Sequence, residues 1–174
     1  MSILTKLGSV ARLPLLVSHL VHALLGIVVI AIVVKSNPAV FRRVPADPQL
    51  STLEIVYWVV GIASLPICWY FNIRFVYEYA ENPFWGQGDW SQFIKMGFAN
   101  PASSSQCADY TIGNVILLPL FTIIDGRRRG IRRPWLFLVS SFFTSFAFAW
   151  AFYLATVERQ RRHQHTAVPV DSRT

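Results

Sequence analysis

Apolar positions along this chain gather into long unbroken runs instead of alternating with polar ones. Leu13 to Val34 contains no Asp, Glu, Lys or Arg, and the same holds for Ile55 to Ile73 and for Pro134 to Val157. A further run, Tyr110 to Ile124, is shorter and bounded by Asp109 and Asp125; it reaches full length if its helix begins near Ser103. A helix needs roughly 20 residues to cross about 30 Å of hydrocarbon. The pattern therefore predicts four transmembrane helices, over residues 13–34, 52–79, 103–125 and 134–157. Between the second and third, Trp90, Phe93, Ile94 and Phe98 recur at helical spacing, which predicts a short amphipathic helix lying in the interface. The expected architecture is an all-α membrane protein: one four-helix transmembrane domain over residues 1–158, then a polar tail over 159–174 expected to be disordered. The first run is too long for the core of a cleaved signal peptide and is read as a retained helix.

Composition agrees with this pattern. The chain is 53% hydrophobic and 14% charged, with a mean hydropathy of +0.42, where a soluble domain carries roughly 25% charged residues. The net charge of +7 sits mainly at predicted helix ends. There it sets orientation and meets anionic lipid, so nucleic acid is excluded as a partner and membrane lipids are expected. The connection "GRRRGIRR" supplies Arg127, Arg128, Arg129, Arg132 and Arg133, all expected at headgroups and on the cytoplasmic side. Four crossings then place Lys35, Arg42 and Arg43 on that side but leave Arg159, Arg161 and Arg162 on the other. The two signals disagree.

Candidate chemistry is sparse. Asn-Pro-Ala occurs at Asn37–Ala39 and Asn100–Ala102. The pair resembles a water-channel signature, but the chain lacks the spans and half-helices of such a channel, and Asn100 is expected to cap the third helix with Pro101 in its first turn. Asp109 lies about 12 Å along that helix from Pro101, a depth at which an acid costs a few kcal/mol unless it is partnered. Arg74, His19 and His22 are its candidate partners, and Asn72, Tyr110 and Asn114 could line the same polar cleft. Tyr110 and Asn114 share a helix face at a spacing of four, and Arg74 and Glu78 do likewise. Asp109, Tyr110 and Glu78 are the candidate catalytic groups; equally, such residues join membrane helices by hydrogen bonds. His19 and His22 lack convergent ligands, so neither a metal nor any other cofactor is expected. Cys68 and Cys107 read as small packing residues.

The segments "LPICWYFN", "FANPASSSQCAD", "DGRRRGIRRPWLFL" and "FAWAFYLATVERQ", in that order and spacing, resemble a bacterial membrane family, domain of unknown function two-eight-three-four. The resemblance runs from about Leu65 to Arg161 and leaves helix one outside. This chain departs from the family's pattern in having Asp125 where a Glu is usual, and Trp150 and Ala151 where a late proline is usual. The resemblance implies a small helical protein of the bacterial inner membrane and supplies no activity.

Functionally, the sequence reads first as a non-catalytic, multi-pass subunit associated with lipid, pigment or a larger membrane complex. An aromatic-rich last helix, apolar all round, suits such a role. The alternative is a membrane-embedded enzyme acting on an isoprenoid or other lipid with Asp109 as acid, and the third reading is a transporter assembled as a homo-oligomer. The sequence leaves open whether the chain is an enzyme.

Overall fold

The computed structural model describes residues 3–44, 48–79 and 89–167. Helices account for nearly all of them, and no strand occurs among the described residues. The first helix, α1, spans Ile3–Ser36, and a single turn, α2, follows over Pro38–Phe41. The next long helix, α3, occupies Thr52–Tyr79 with Pro66 inside it. The short α4, Trp90–Gly97, is capped by Asp89, whose carboxylate accepts from the N–H of Gln92 at 2.8 Å. Phe93 sets α4 edge-on against Phe75 of α3, ring centroids 5.1 Å apart, and Ile94, Met96 and Phe98 remain exposed.

α5, Pro101–Thr111, begins as the capping pattern requires: Asn100 Oδ1 accepts from the N–H of Ser103 at 3.0 Å, and Pro101 takes the first helical position. The helix then widens into one π-helical turn, Ile112–Leu117, before α6, Leu118–Arg128. Pro119 lies just beyond that turn; it has no N–H and its ring crowds the preceding turn, which favours looser winding there. Among the described residues, three helices are thus long and apolar enough to cross a membrane, with windows at His19–Ser36, Thr52–Tyr79 and Pro101–Arg128. No more than 17% of each window is buried, so these helices present their apolar sides outward.

The fourth apolar run departs from expectation. It forms two helices in place of one over 134–157: α7, Leu136–Phe143, and α8, Phe146–Ala167. The chain reverses between them. Phe137 near the start of α7 meets Phe152 and Tyr153 of α8, ring centroids 5.2 and 5.0 Å away. The reversal is local chemistry. Thr144 leaves the helical region (φ −121°, ψ −98°), and Ser145 Oγ accepts from the N–H of Phe148 at 3.0 Å, capping α8. Its two neighbours on α3 satisfy the break: Ser64 Oγ lies 2.8 Å from Ser145 Oγ, and Trp69 Nε1 donates to the carbonyl of Thr144 at 3.2 Å. Backbone polar groups away from water require such partners. The hairpin is also the core of the molecule. Phe137, Ala149, Phe152, Tyr153, Ala155 and Thr156 are each no more than 1% exposed, so the aromatic helix expected to face lipid or a partner is enclosed by its own chain. α8 also continues past Glu158 to Ala167, where the sequence suggests a disordered tail; residues 168–174 lie outside the described residues.

Candidate functional site

The reversal carries the C-terminal half of α8 back to the end where α1 and α6 finish and where α3 and α7 begin. Arg159 is the centre of that end. Its guanidinium donates to Glu54 Oε1 at 2.9 Å, to the Val40 carbonyl at 3.0 Å and to the Arg42 carbonyl at 3.0 Å. One side chain thereby ties α8 to α2 and to the first turn of α3. Glu54 is 1% exposed, and its second oxygen lies 3.7 Å from Arg162. Arg162 also donates to the carbonyls of Gln49 and Pro48. Glu158 accepts from Ser51 Oγ at 3.0 Å and from two nitrogens of Arg161, each at 3.0 Å. The hydrogen bond from Arg161 holds the Glu158 carboxyl below the usual glutamate range against the opposing effect of burial, with Ser51 assisting.

Asn37, from the first Asn-Pro-Ala triplet, acts as a staple. Its Oδ1 accepts from the N–H of Arg132 at 2.7 Å, and its Nδ2 donates to the carbonyls of Arg132 at 3.1 Å and Val33 at 2.8 Å. This pins the α6–α7 turn to the end of α1. The turn itself closes α6 with paired bonds, Ile131 N–H to the Gly126 carbonyl at 2.8 Å and Gly130 N–H to the Arg127 carbonyl at 3.0 Å. Gly130 supplies the left-handed residue (φ 72°). Gly126 is buried inside α6, where a Cβ would lie 2.7 Å from Pro134. Arg133 is also left-handed (φ 56°), directly beyond the residue Asn37 holds. Asp125 accepts from Tyr153 Oη and from Arg129 Nε, both at 2.6 Å.

These bonds sort the cations. Arg129, Arg159, Arg161 and Arg162 are engaged. Lys35, Arg42, Arg43, Arg127, Arg128, Arg132 and Arg133 are exposed at the same end, and none of their side chains makes a hydrogen bond or ion pair among the described residues. Of the five arginines expected at headgroups, Arg129 is thus spent on Asp125, while the other four are available.

The opposite end is put together differently. The polar cluster expected around Asp109 does not form: Asp109 is exposed, and no hydrogen bond or ion pair joins it to Arg74, His19 or His22 among the described residues. Arg74 pairs with Glu78 one turn away on α3, both well exposed. His19 stacks on Tyr77 at 6.0 Å, and His22 meets the edge of Phe143 at 5.4 Å. Tyr110 and Asn114 do come together, Asn114 Nδ2 donating to Tyr110 Oη at 3.1 Å. Asn114 is buried in the π turn, with Oδ1 lacking a hydrogen-bond partner among the described residues. Asn72 is half-buried on α3. No group of three or more metal-ligating side chains occurs among the described residues. No hydrogen bond or ion pair joins the candidates Asp109, Tyr110 and Glu78 to one another among the described residues, whereas Glu54, which the sequence did not single out, is joined to Arg159 across α3 and α8.

The family model described as "Protein of unknown function DUF2834" matches residues 56–159. The chain belongs to this family. The matched segment starts in the second turn of α3 and ends at Arg159, so it takes in α4, α5–α6, α7 and α8 as far as Arg159, while α1 and Asn37 lie outside it. No curated protein and no solved structure matches the chain.

Proposed function

We propose that this chain is a non-catalytic, multi-pass protein of the bacterial inner membrane. In this reading it has three spans and a re-entrant hairpin, α7–α8, that enters and leaves on the cytoplasmic side. Its ring of exposed arginines binds the anionic headgroups of that leaflet, and α4 lies in the opposite interface. The carrying observation is the sorting of cations at one end. Among the described residues, the buried acids there, Glu54 and Glu158, are paired within the chain, while the side chains of seven exposed cations make no hydrogen bond or ion pair. Each such cation near an anionic surface contributes about 1 kcal/mol of attraction.

The hairpin supports the reading by depth and by charge. Its tip meets Ser64, ten residues from Glu54 along α3, or about 15 Å at 1.5 Å per residue, near the middle of a bilayer about 30 Å thick. A re-entrant segment also returns Arg159, Arg161 and Arg162 to the side of the other arginines, removing the disagreement that four crossings create. A structural role is favoured over a catalytic one because the buried carboxylates and amides cap, staple and clamp helices.

Cysteine labelling in intact cells tests the topology, with Cys68 and Cys107 first changed to Ser. Arg128→Cys and His165→Cys should both be protected from outside, and Lys95→Cys should label. His165→Cys labelling together with Lys95→Cys would return the four-span bundle. For the binding, nanodiscs of anionic phospholipid should retain more of the native lipid-bound protein than zwitterionic ones, as read by native mass spectrometry. Arg127→Gln with Arg128→Gln, Arg132→Gln and Arg133→Gln should abolish that preference. A preference unchanged by the four substitutions would sink the headgroup role.

A further inference from the structure

Among the described residues, α5 rests on α4, which sits over Cys107, and runs on into its π turn, and Tyr110 near its end reaches Phe146 of the hairpin at 5.6 Å. Ala102, Ser105, Gln106 and Asp109 are all exposed and recur at intervals of three and one, which puts them on one face of α5. Neither Gln106 nor Asp109 makes a hydrogen bond among the described residues. If the chain spans a membrane as proposed above, the Asp109 end of this face lies inside hydrocarbon. Tyr110 is level with the hairpin tip region, where Trp69 of α3 meets Thr144. Trp69 lies five residues inside Arg74, or about 7 Å. An ionisable side chain at that depth faces protein or water, not lipid.

We infer that this face is covered by the same face of a second copy, in a two-fold dimer built on α5. The surface is complementary to itself. Gln106 carries an amide donor, Asp109 a carboxyl acceptor, and they stand one turn apart on the same face. Two α5 helices crossing about a two-fold axis bring Gln106 of each copy to Asp109 of the other, so both bonds form or neither does. Ala102 and Ser105 are small enough to let the backbones approach, as packed membrane helices require. A second copy is favoured over a foreign cationic helix because the face holds donor and acceptor together, where a cation-binding face needs acceptors alone.

The test uses the full chain in nanodiscs and in native membranes. Light scattering should give a dimer for the wild type. Asp109→Leu, which removes the acceptor, should shift it to monomer by at least tenfold in dissociation constant, and Asp109→Asn, which keeps an acceptor, should preserve the dimer. In a Cys68→Ser, Cys107→Ser background, Ser105→Cys should form a disulfide-linked dimer on mild oxidation, while Ile67→Cys on α3 should not. A monomeric wild type, a dimer indifferent to Asp109→Leu, or Ser105→Cys linking to a different protein would each overturn the proposal. Resistance to carbonate extraction, measured on the same membranes, separates the two readings. A membrane-retained monomer overturns the dimer alone, and release into the soluble fraction overturns the membrane reading itself.

Discussion

The two ends of this molecule use their polar groups in opposite ways. At the arginine end, Glu54, Asn37, Glu158 and Arg159 are buried or half-buried, and their partners lie about a hundred residues away in sequence. At the other end, Arg74 and Glu78 pair within a single helix turn, and Asp109 faces outward. A long-range clamp closes only when several helix ends already meet, so its members stabilise one another. A pair within one helix forms whether or not the rest of the protein is folded, and so contributes little to folding. Cohesion through long-range ion pairs is thus concentrated at the arginine end.

The sharpest way to break this contrast is to remove its centre. Arg159→Ala loses three hydrogen bonds and strands Glu54, which is 1% exposed, with Arg162 at 3.7 Å as the remaining cation. A loss of about 3 kcal/mol is expected, since one partner is taken from a buried pair. Arg74→Ala should leave thermal unfolding in detergent unchanged. Comparable losses from both variants would mean that the ends do not differ.

The two Asn-Pro-Ala triplets give a finer version of the same comparison. Asn37→Ala removes three bonds and frees a turn that contains the left-handed Arg133, so about 2 kcal/mol should be lost. Asn100→Ala removes one capping bond, worth about 1 kcal/mol. Equal effects, read by chemical unfolding in one detergent, would show that Asn37 is merely a cap as well. Ser145→Ala should cost about 1 kcal/mol and Ser145→Gly only a few tenths, because glycine also suits a helix N-cap. If glycine were as harmful as alanine, the contact with Ser64 and not the cap would be holding the hairpin.

Much of the fold is legible in the sequence. Apolar runs marked the long helices, aromatic spacing marked α4, and Asn-Pro marked the start of α5. The hairpin was hidden because Thr144 and Ser145 are tolerated within apolar helices, and a buried hairpin is as apolar as a span. Its trace was in the charges: Arg159, Arg161 and Arg162 fitted no four-span arrangement. The polar contacts divide the same way. Pairs four residues apart, Tyr110 with Asn114 and Arg74 with Glu78, follow from helix geometry. Asp109 could be placed in depth, but spacing along one helix does not say which way it faces relative to the others. Asn37 and Glu54 were invisible for a related reason, since their partners are set by which helix ends meet. An acid in the first turn of an apolar helix reads as a favourable dipole charge, and nothing local marks it as buried.

The smallest expected effect concerns acid. Glu158 is held below the ordinary glutamate value, first by Arg161 and then by Ser51, while burial works the other way. A carboxyl with a lowered folded pKa binds protons more weakly in the folded state than in the unfolded one. Its contribution is therefore fully present above the ordinary value of about 4.3 and is lost as pH falls through the lowered folded value. Between neutral pH and about pH 5 the wild type should show no change from this group, and below that its unfolding temperature should fall. Glu158→Gln should be less stable near neutrality and should lose less on acidification, so the two profiles converge. Because Arg161 is mostly exposed, the convergence is expected to be shallow and to weaken in high salt. Parallel profiles for wild type and Glu158→Gln would show that Glu158 does not carry the acid sensitivity of this end.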